Sequence, residues 1–182
     1  MPPPTFQSRK VTEAAGQLLK LGGGSMFYIM LLKLLYLVDR AALQRFGKHV
    51  SNDRHVSMDN GPVLSCTYNL IRESPAAPPS YWRQHIEKRG LQVALLSDPG
   101  CDHLSEAESD LIQEVFTEYG HWDRFALIEH MHRNFGEWTD PEGSSIPIAI
   151  HKILEAQGAP RESAMAVENE LTAMRELSSL YQ

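Results

Sequence analysis

Eight histidines, two cysteines and 23 carboxylates are the side chains of this sequence that could do chemistry. Their spacing decides which chemistry is open. His130 and His132 are the closest histidine pair, with Glu129 beside them. Positions two apart on a helix point about 200° from each other, so these imidazoles cannot close on one ion. The His-Glu-x-x-His pattern, which stacks two ligands on one helix face, is absent. Cys66 is expected near a helix start, where the helix field can lower a thiol pKa. No histidine or acid stands at a spacing that predicts a base for it, so Cys66 reads as a structural thiol. Cys66 and Cys101 make neither a disulfide framework nor a four-ligand zinc set, and both read as reduced thiols of a cytoplasmic protein. Gly22-Gly23-Gly24 lacks the Gly-Lys-Ser/Thr of a phosphate cradle and reads as a flexible corner. No Gly-x-Ser-x-Gly elbow occurs. Glu106, Glu108 and Asp110 gather at a helix start, where the helix dipole favours carboxylates without any catalytic role. The chain is therefore expected to be no enzyme and to bind no catalytic metal, nucleotide or other cofactor.

The elements that position these residues follow from composition and periodicity. A chain of 182 residues suits one domain, or one domain plus a tail. Its most apolar run, Met26 to Val38, carries Lys33 and is shorter than the roughly 20 residues of a spanning helix, so no membrane segment is expected. Residues 1–8, with three prolines, read as a frayed terminus. Val11, Ala14, Ala15, Leu18, Leu19 and Leu21 recur at helical spacing. A second helix, capped by Ser25 and running to about Arg45, carries an apolar stripe from Phe27 to Ala42 with Lys33, Leu37, Arg40 and Gln44 opposite, and is expected to be central. Asp39 sits beside that stripe. A buried carboxylate needs a partner, and Arg54 is the one expected.

His55 to Met58 reads as a strand. Asp59-Asn60-Gly61-Pro62 reads as a turn into a third helix from Val63 to about Arg72. Trp82–Glu87 and Leu91–Leu96 read as a hairpin. Ser105-Glu106-Ala107-Glu108 is a capping box that opens a helix from Glu106 to Tyr119. Helices follow over Trp122–Phe135, Ile146–Ala156 and, after Gly158-Ala159-Pro160, Arg161–Tyr181. The fold class is mainly α, a compact helical bundle-like domain with a small β element.

These residues also carry a resemblance. Lys33-Leu34-Leu35-Tyr36-Leu37-Val38-Asp39-Arg40 resembles the "KLLYLADR" helix of the Panacea domain, the SocA-like antitoxin family. Phe46-Gly47, Asp53 through Val63, Tyr68 through Ile71, Leu104 through Glu108 and Trp138 follow in that family's order. The resemblance covers roughly residues 11–156. It implies a compact, mainly helical fold, with a Panacea-like domain over residues 9–156 and a C-terminal helix extension over residues 161–182. It implies the antitoxin of a bacterial or phage toxin–antitoxin system, neutralising a cognate protein toxin by direct binding. An adaptor that delivers a client toxin to a protease is the alternative. The shared positions Lys33, Tyr36, Asp39, Arg40, Arg54, Met58, Gly61, Pro62, Val63 and Trp138 read as scaffold.

Charge and the last helix bear on partners. From Ser97 to Gln182 there are five basic and seventeen acidic side chains, a balance of −12. Such a face repels nucleic acid and attracts a basic-surfaced toxin, although acidic residues also simply solvate helix faces. The stripe Val167, Leu171, Met174, Leu177 and Tyr181 needs something to pack against. Its own core, a second copy in a homodimer and a toxin groove are the three candidates.

Overall fold

The computed structural model describes residues 6–73, 76, 78 and 80–180. Of the expected frayed terminus, residues 1–5 lie outside the described residues, whereas Phe6 packs against the core and Gln7 N donates to Ser51 O at 3.2 Å. The chain is mainly helical with two small antiparallel sheets. Helix α1 (Ser8–Leu21) buries Val11, Ala14, Ala15, Leu18 and Leu19. Pro99 presses against Gly16 so closely that a Cβ there would stand 2.6 Å from its ring. At Gly23 and Gly24 the chain takes φ of +82° and +97°, which only glycine adopts freely, and turns into strand β1 (Ser25–Phe27).

Helix α2 (Tyr28–Phe46) is the central element. Ser25 does not cap it, because Ser25 lies in β1; the free Tyr28 N–H instead donates to Leu91 O at 2.9 Å. The stripe is buried from Leu31 to Ala42, whereas Phe27 lies exposed in β1 and Tyr28 is half-buried; Lys33 is buried too, at 1 % exposure. Strand β3 (Gly61–Leu64) packs against α2 and covers Lys33. Gly47, at φ +65°, ends the helix.

Strand β2 (His55–Met58) lies between β3 and β6 (Ile146–Pro147). Pro62 therefore sits in an edge strand opposite Ser57, not in a helical first turn. An edge strand tolerates a residue without N–H. The third helix starts later than expected, as α3 (Ser65–Ile71). Trp82 belongs to a short helix, α4 (Tyr81–His85), and the hairpin pairs β4 (Ile86–Arg89) with β5 (Gln92–Leu95). Strand β1 then joins β5, completing a sheet of order β1-β5-β4.

Helix α5 (Glu106–Tyr119) opens with both hydrogen bonds of the Ser105–Glu108 capping box. Helix α6 (Arg124–Asn134) is capped by Asp123, two residues inside the expected start. Ile146 and Pro147 are drawn into β6, so helix α7 is confined to Ile150–Ala156. Helix α8 (Arg161–Leu180) packs on α7. The main core gathers around α1, α2, α5 and α6. A smaller one joins Leu43 of α2 to Ile150, Ile153 and Leu154 of α7 and Ala164 and Leu171 of α8. No helix among the described residues is long and apolar enough to cross a membrane.

Candidate functional site

Four polar side chains of α2 point into the protein rather than away from it, and they tie the helix to strand β3, to Glu137 and to the loop after Gly47. Lys33 Nζ donates to Pro62 O at 2.9 Å, and burial brings its pKa down to about 7. Gly61, at φ +93°, leaves room for it; a Cβ there would lie 3.1 Å from Nζ. Tyr36 Oη donates to Glu137 Oε1 at 3.0 Å, and Arg40 Nε donates to the same oxygen at 2.7 Å. Arg40 also lies over the Phe135 ring, 4.0 Å from its centroid. Burial, and then the Glu137 carboxylate, push the Tyr36 phenol well above its ordinary range.

Asp39 forms the densest of these ties. Its Oδ1 accepts the N–H groups of Val50 and Ser51, both at 2.9 Å, and its Oδ2 accepts the Ser51 hydroxyl. Arg54, the expected partner, is exposed. The partners are instead His55, whose Nε2 lies 3.4 Å from Asp39 Oδ2, and His49, whose Nδ1 lies 4.0 Å from it. Burial raises the Asp39 carboxyl pKa, but His55, His49 and Ser51 together outweigh that and hold it below its ordinary value. Burial drives His49 down to about 3, so its ring is neutral at pH 7. The two rings stack with centroids 5.3 Å apart. Both His49 Nδ1 and His55 Nε2 are buried with no hydrogen-bond partner. Arg175 of α8 closes the cluster, with Nη2 donating to His49 Nε2 at 3.3 Å and to Asp53 O at 3.4 Å.

Sequence spacing missed this constellation. Asp39, His49 and His55 are ten and six residues apart, and neither interval is a helical repeat. The loop after Gly47 brings them together by doubling back, with Asn52 at φ +53°. A readable signal was the pair of histidines flanking the Ser-Asn-Asp turn. The pair that spacing did single out is separated: His130 packs among Tyr119, Trp122 and Phe135, and His132 stacks on Trp138 with centroids 4.0 Å apart.

Beside the cluster runs a groove of about 360 Å³ that has Asp53, His55, Ile148, Glu168, Thr172 and Arg175 in its wall. The Asp53 carboxylate accepts Cys66 N at 2.8 Å and Thr67 N at 2.7 Å, so it caps α3 from a distance. Burial, and then Asp53, push the Cys66 thiol up to about 11, opposite to an activated nucleophile. Of the remaining motif residues, Trp138 Nε1 donates to Met58 O at 3.0 Å, and Val63 is buried.

The stripe of α8 divides. Leu171 is buried and Val167 packs beside it in the smaller core, while Glu168 accepts Ile150 N at 2.9 Å and contacts His151. Beyond that turn Met174 and Leu177 are 52 % and 57 % exposed. Tyr181 lies outside the described residues. The first half of the helix thus docks on its own chain, and the second half leaves its apolar face to solvent. Charge on the described surface is mixed: Lys20 pairs with Asp98 at 2.9 Å and Arg45 with Glu114 at 2.7 Å.

Residues 31–139 match the family model described as antitoxin SocA-like, Panacea domain. The matched stretch begins in α2 and ends one residue after Trp138, so it holds all four inward polar residues of α2 and the Asp39–His49–His55 cluster. No curated protein and no solved structure matches the chain.

Proposed function

This chain belongs to the SocA-like antitoxin family through its Panacea domain, and we propose that it neutralises a cognate protein toxin by direct binding. The family match over residues 31–139 carries the reading. The geometry supports it in a specific way. Lys33, Tyr36, Asp39, Arg40 and Trp138 spend their polar atoms on internal loops, so they act as scaffold and leave recognition to surface residues. The distal half of α8 offers such a surface. Met174, Leu177 and Leu180 follow one another at helical spacing and are exposed, while Leu171 anchors the helix behind them. An exposed apolar stripe flanked by Glu170 and Glu176 suits a groove that is apolar at its floor and basic at its rim. The acidic balance of residues 97–182 acts in the same sense, drawing in a basic-surfaced toxin. The protein works as a cytoplasmic binding protein rather than an enzyme.

The test is co-expression with each small reading frame adjacent to its gene. A frame that is lethal alone and harmless with this protein, and whose product co-purifies with it, supports the proposal. Met174→Asp with Leu177→Asp should keep the fold and lose both rescue and co-purification. Rescue without a stable complex, lost in a protease-deficient host, would replace direct neutralisation by delivery to a protease. Rescue by the double variant at the wild-type level would remove α8 from the interface.

A further inference from the structure

We propose that Asp39, His49 and His55 form a buried site for a divalent transition metal, with zinc as the ion that fits the donor set. Four observations carry this. First, the three donor atoms lie within 4.8 Å of one another, the one such group of three among the described residues. Asp39 Oδ2 and His55 Nε2 are 3.4 Å apart, which is about the ligand-to-ligand separation around a tetrahedral ion with bonds near 2.0–2.1 Å. His49 Nδ1 lies 4.0 Å from the same oxygen and has to swing inward to join them. Second, His49 Nδ1 and His55 Nε2 are both buried, both without a hydrogen-bond partner and both beside one carboxylate oxygen. Buried polar atoms are almost always satisfied, and a shared cation satisfies both nitrogens at once. Third, the carboxylate is already oriented, since two backbone amides fix Oδ1 and a serine hydroxyl braces Oδ2. Ligands held this way by an outer shell are characteristic of metal centres. Fourth, a groove of about 360 Å³ with His55 and Arg175 in its wall runs beside the cluster, and an ion would approach from that side. Two imidazoles and one carboxylate suit zinc and disfavour magnesium or calcium, which take oxygen ligands.

This departs from the expectation drawn from sequence, which weighed His130 and His132. It also has a consequence that simple adsorption to surface histidines would not share. Arg175 donates to His49 Nε2, so that nitrogen now accepts. Once His49 Nδ1 binds the ion, Nε2 must carry the proton, and the Arg175 contact has to break while its contact with Asp53 O remains. Arg175 therefore competes with the metal, both as a proton donor and as a positive charge.

The experiment uses the full chain stripped of metal with a chelator. Zinc is titrated by calorimetry, and cobalt(II) is titrated as the spectroscopic probe. The expected result is one equivalent of zinc, a rise in melting temperature on binding, and cobalt ligand-field bands of tetrahedral intensity. Arg175→Met should bind roughly tenfold more tightly, and His49→Ala with His55→Ala should bind at least a hundredfold more weakly, while His85→Ala stays unchanged. If the double variant does not fold, the imidazole resonances of the histidine-labelled wild type decide. Zinc must then shift His49 and His55 before any other histidine. No uptake by the wild type, uptake retained in the folded double variant, weaker binding by Arg175→Met, or first shifts at surface histidines would each overturn the site.

Discussion

Lys33 is a test of how far burial controls this fold. Its ammonium sits in the core with a single backbone carbonyl as partner, and its pKa falls to about 7 from an ordinary 10.5. In the unfolded chain the amine stays protonated up to about pH 10.4. Above pH 7 the unfolded state therefore binds more protons at this residue than the folded state does. Stability rises with pH wherever that holds. Each pH unit is worth about 1.4 kcal/mol, so Lys33 should add about 3 kcal/mol between pH 7 and pH 9.5 and nothing below pH 6. Cys66 and Tyr36 titrate with the opposite sign toward the alkaline end, because their folded pKa values are raised. The clean quantity is therefore the difference between the wild type and Lys33→Met, in which the other groups cancel. Urea unfolding at half-unit intervals from pH 6 to pH 9.5 measures it. The methionine variant should be the more stable at pH 6 to 7, less whatever the unpaired Pro62 carbonyl costs, on the order of 1–3 kcal/mol. The wild type should then gain on it steadily. A difference that stays flat across the range, or that moves the other way, would refute the view that burial lowers the pKa of Lys33.

Other outcomes follow from the same ties. Glu137→Ala strands Tyr36 Oη and Arg40 in the core and should cost about 3–5 kcal/mol, read as a lower urea midpoint with an unchanged slope. Leu171→Ala should cost about 2 kcal/mol by opening the smaller core, whereas Leu177→Asp should stay within about 0.5 kcal/mol, which thermal unfolding separates. Ser105→Ala removes the capping box of α5 and should cost about 1 kcal/mol by the same measurement. Association with the toxin should slow markedly between about 50 and 500 mM salt in stopped-flow binding if the acidic surface steers it.

What was legible in the sequence is what is written locally. The α5 start is specified within four residues by Ser105 and Glu108, and the centrality of α2 by its own apolar period. The short strands were not legible in the same way. Gly61–Leu64 and Ile146–Pro147 are strands because both flank β2; the first pairs locally across a tight turn, but the second joins residues about 90 positions apart. The same holds for the candidate site. Asp39 was recognisable as a carboxylate needing a partner, but Arg54 and His55 are adjacent in sequence, and a strand sends neighbours to opposite faces. Only the pairing of β2 decides that His55 is the one facing inward. Lys33 was legible as lying opposite the stripe of a central helix, but its partner was not, because Pro62 read as part of a turn rather than of strand β3.

The ties of α2 also set an order of events during synthesis. Tyr36 and Arg40 find their acceptor at Glu137, and His55 O receives its N–H from Ile148. A nascent chain that has produced the whole of α2 still holds buried-to-be donors with nothing to donate to. At about 5–20 residues per second, the stretch from the end of α2 to β6 takes roughly 5–20 s to emerge. For that interval the central helix has α1 and then β3 to pack against but lacks α5, α7 and the Glu137 acceptor, and its remaining apolar surface is open to chaperones and proteases alike.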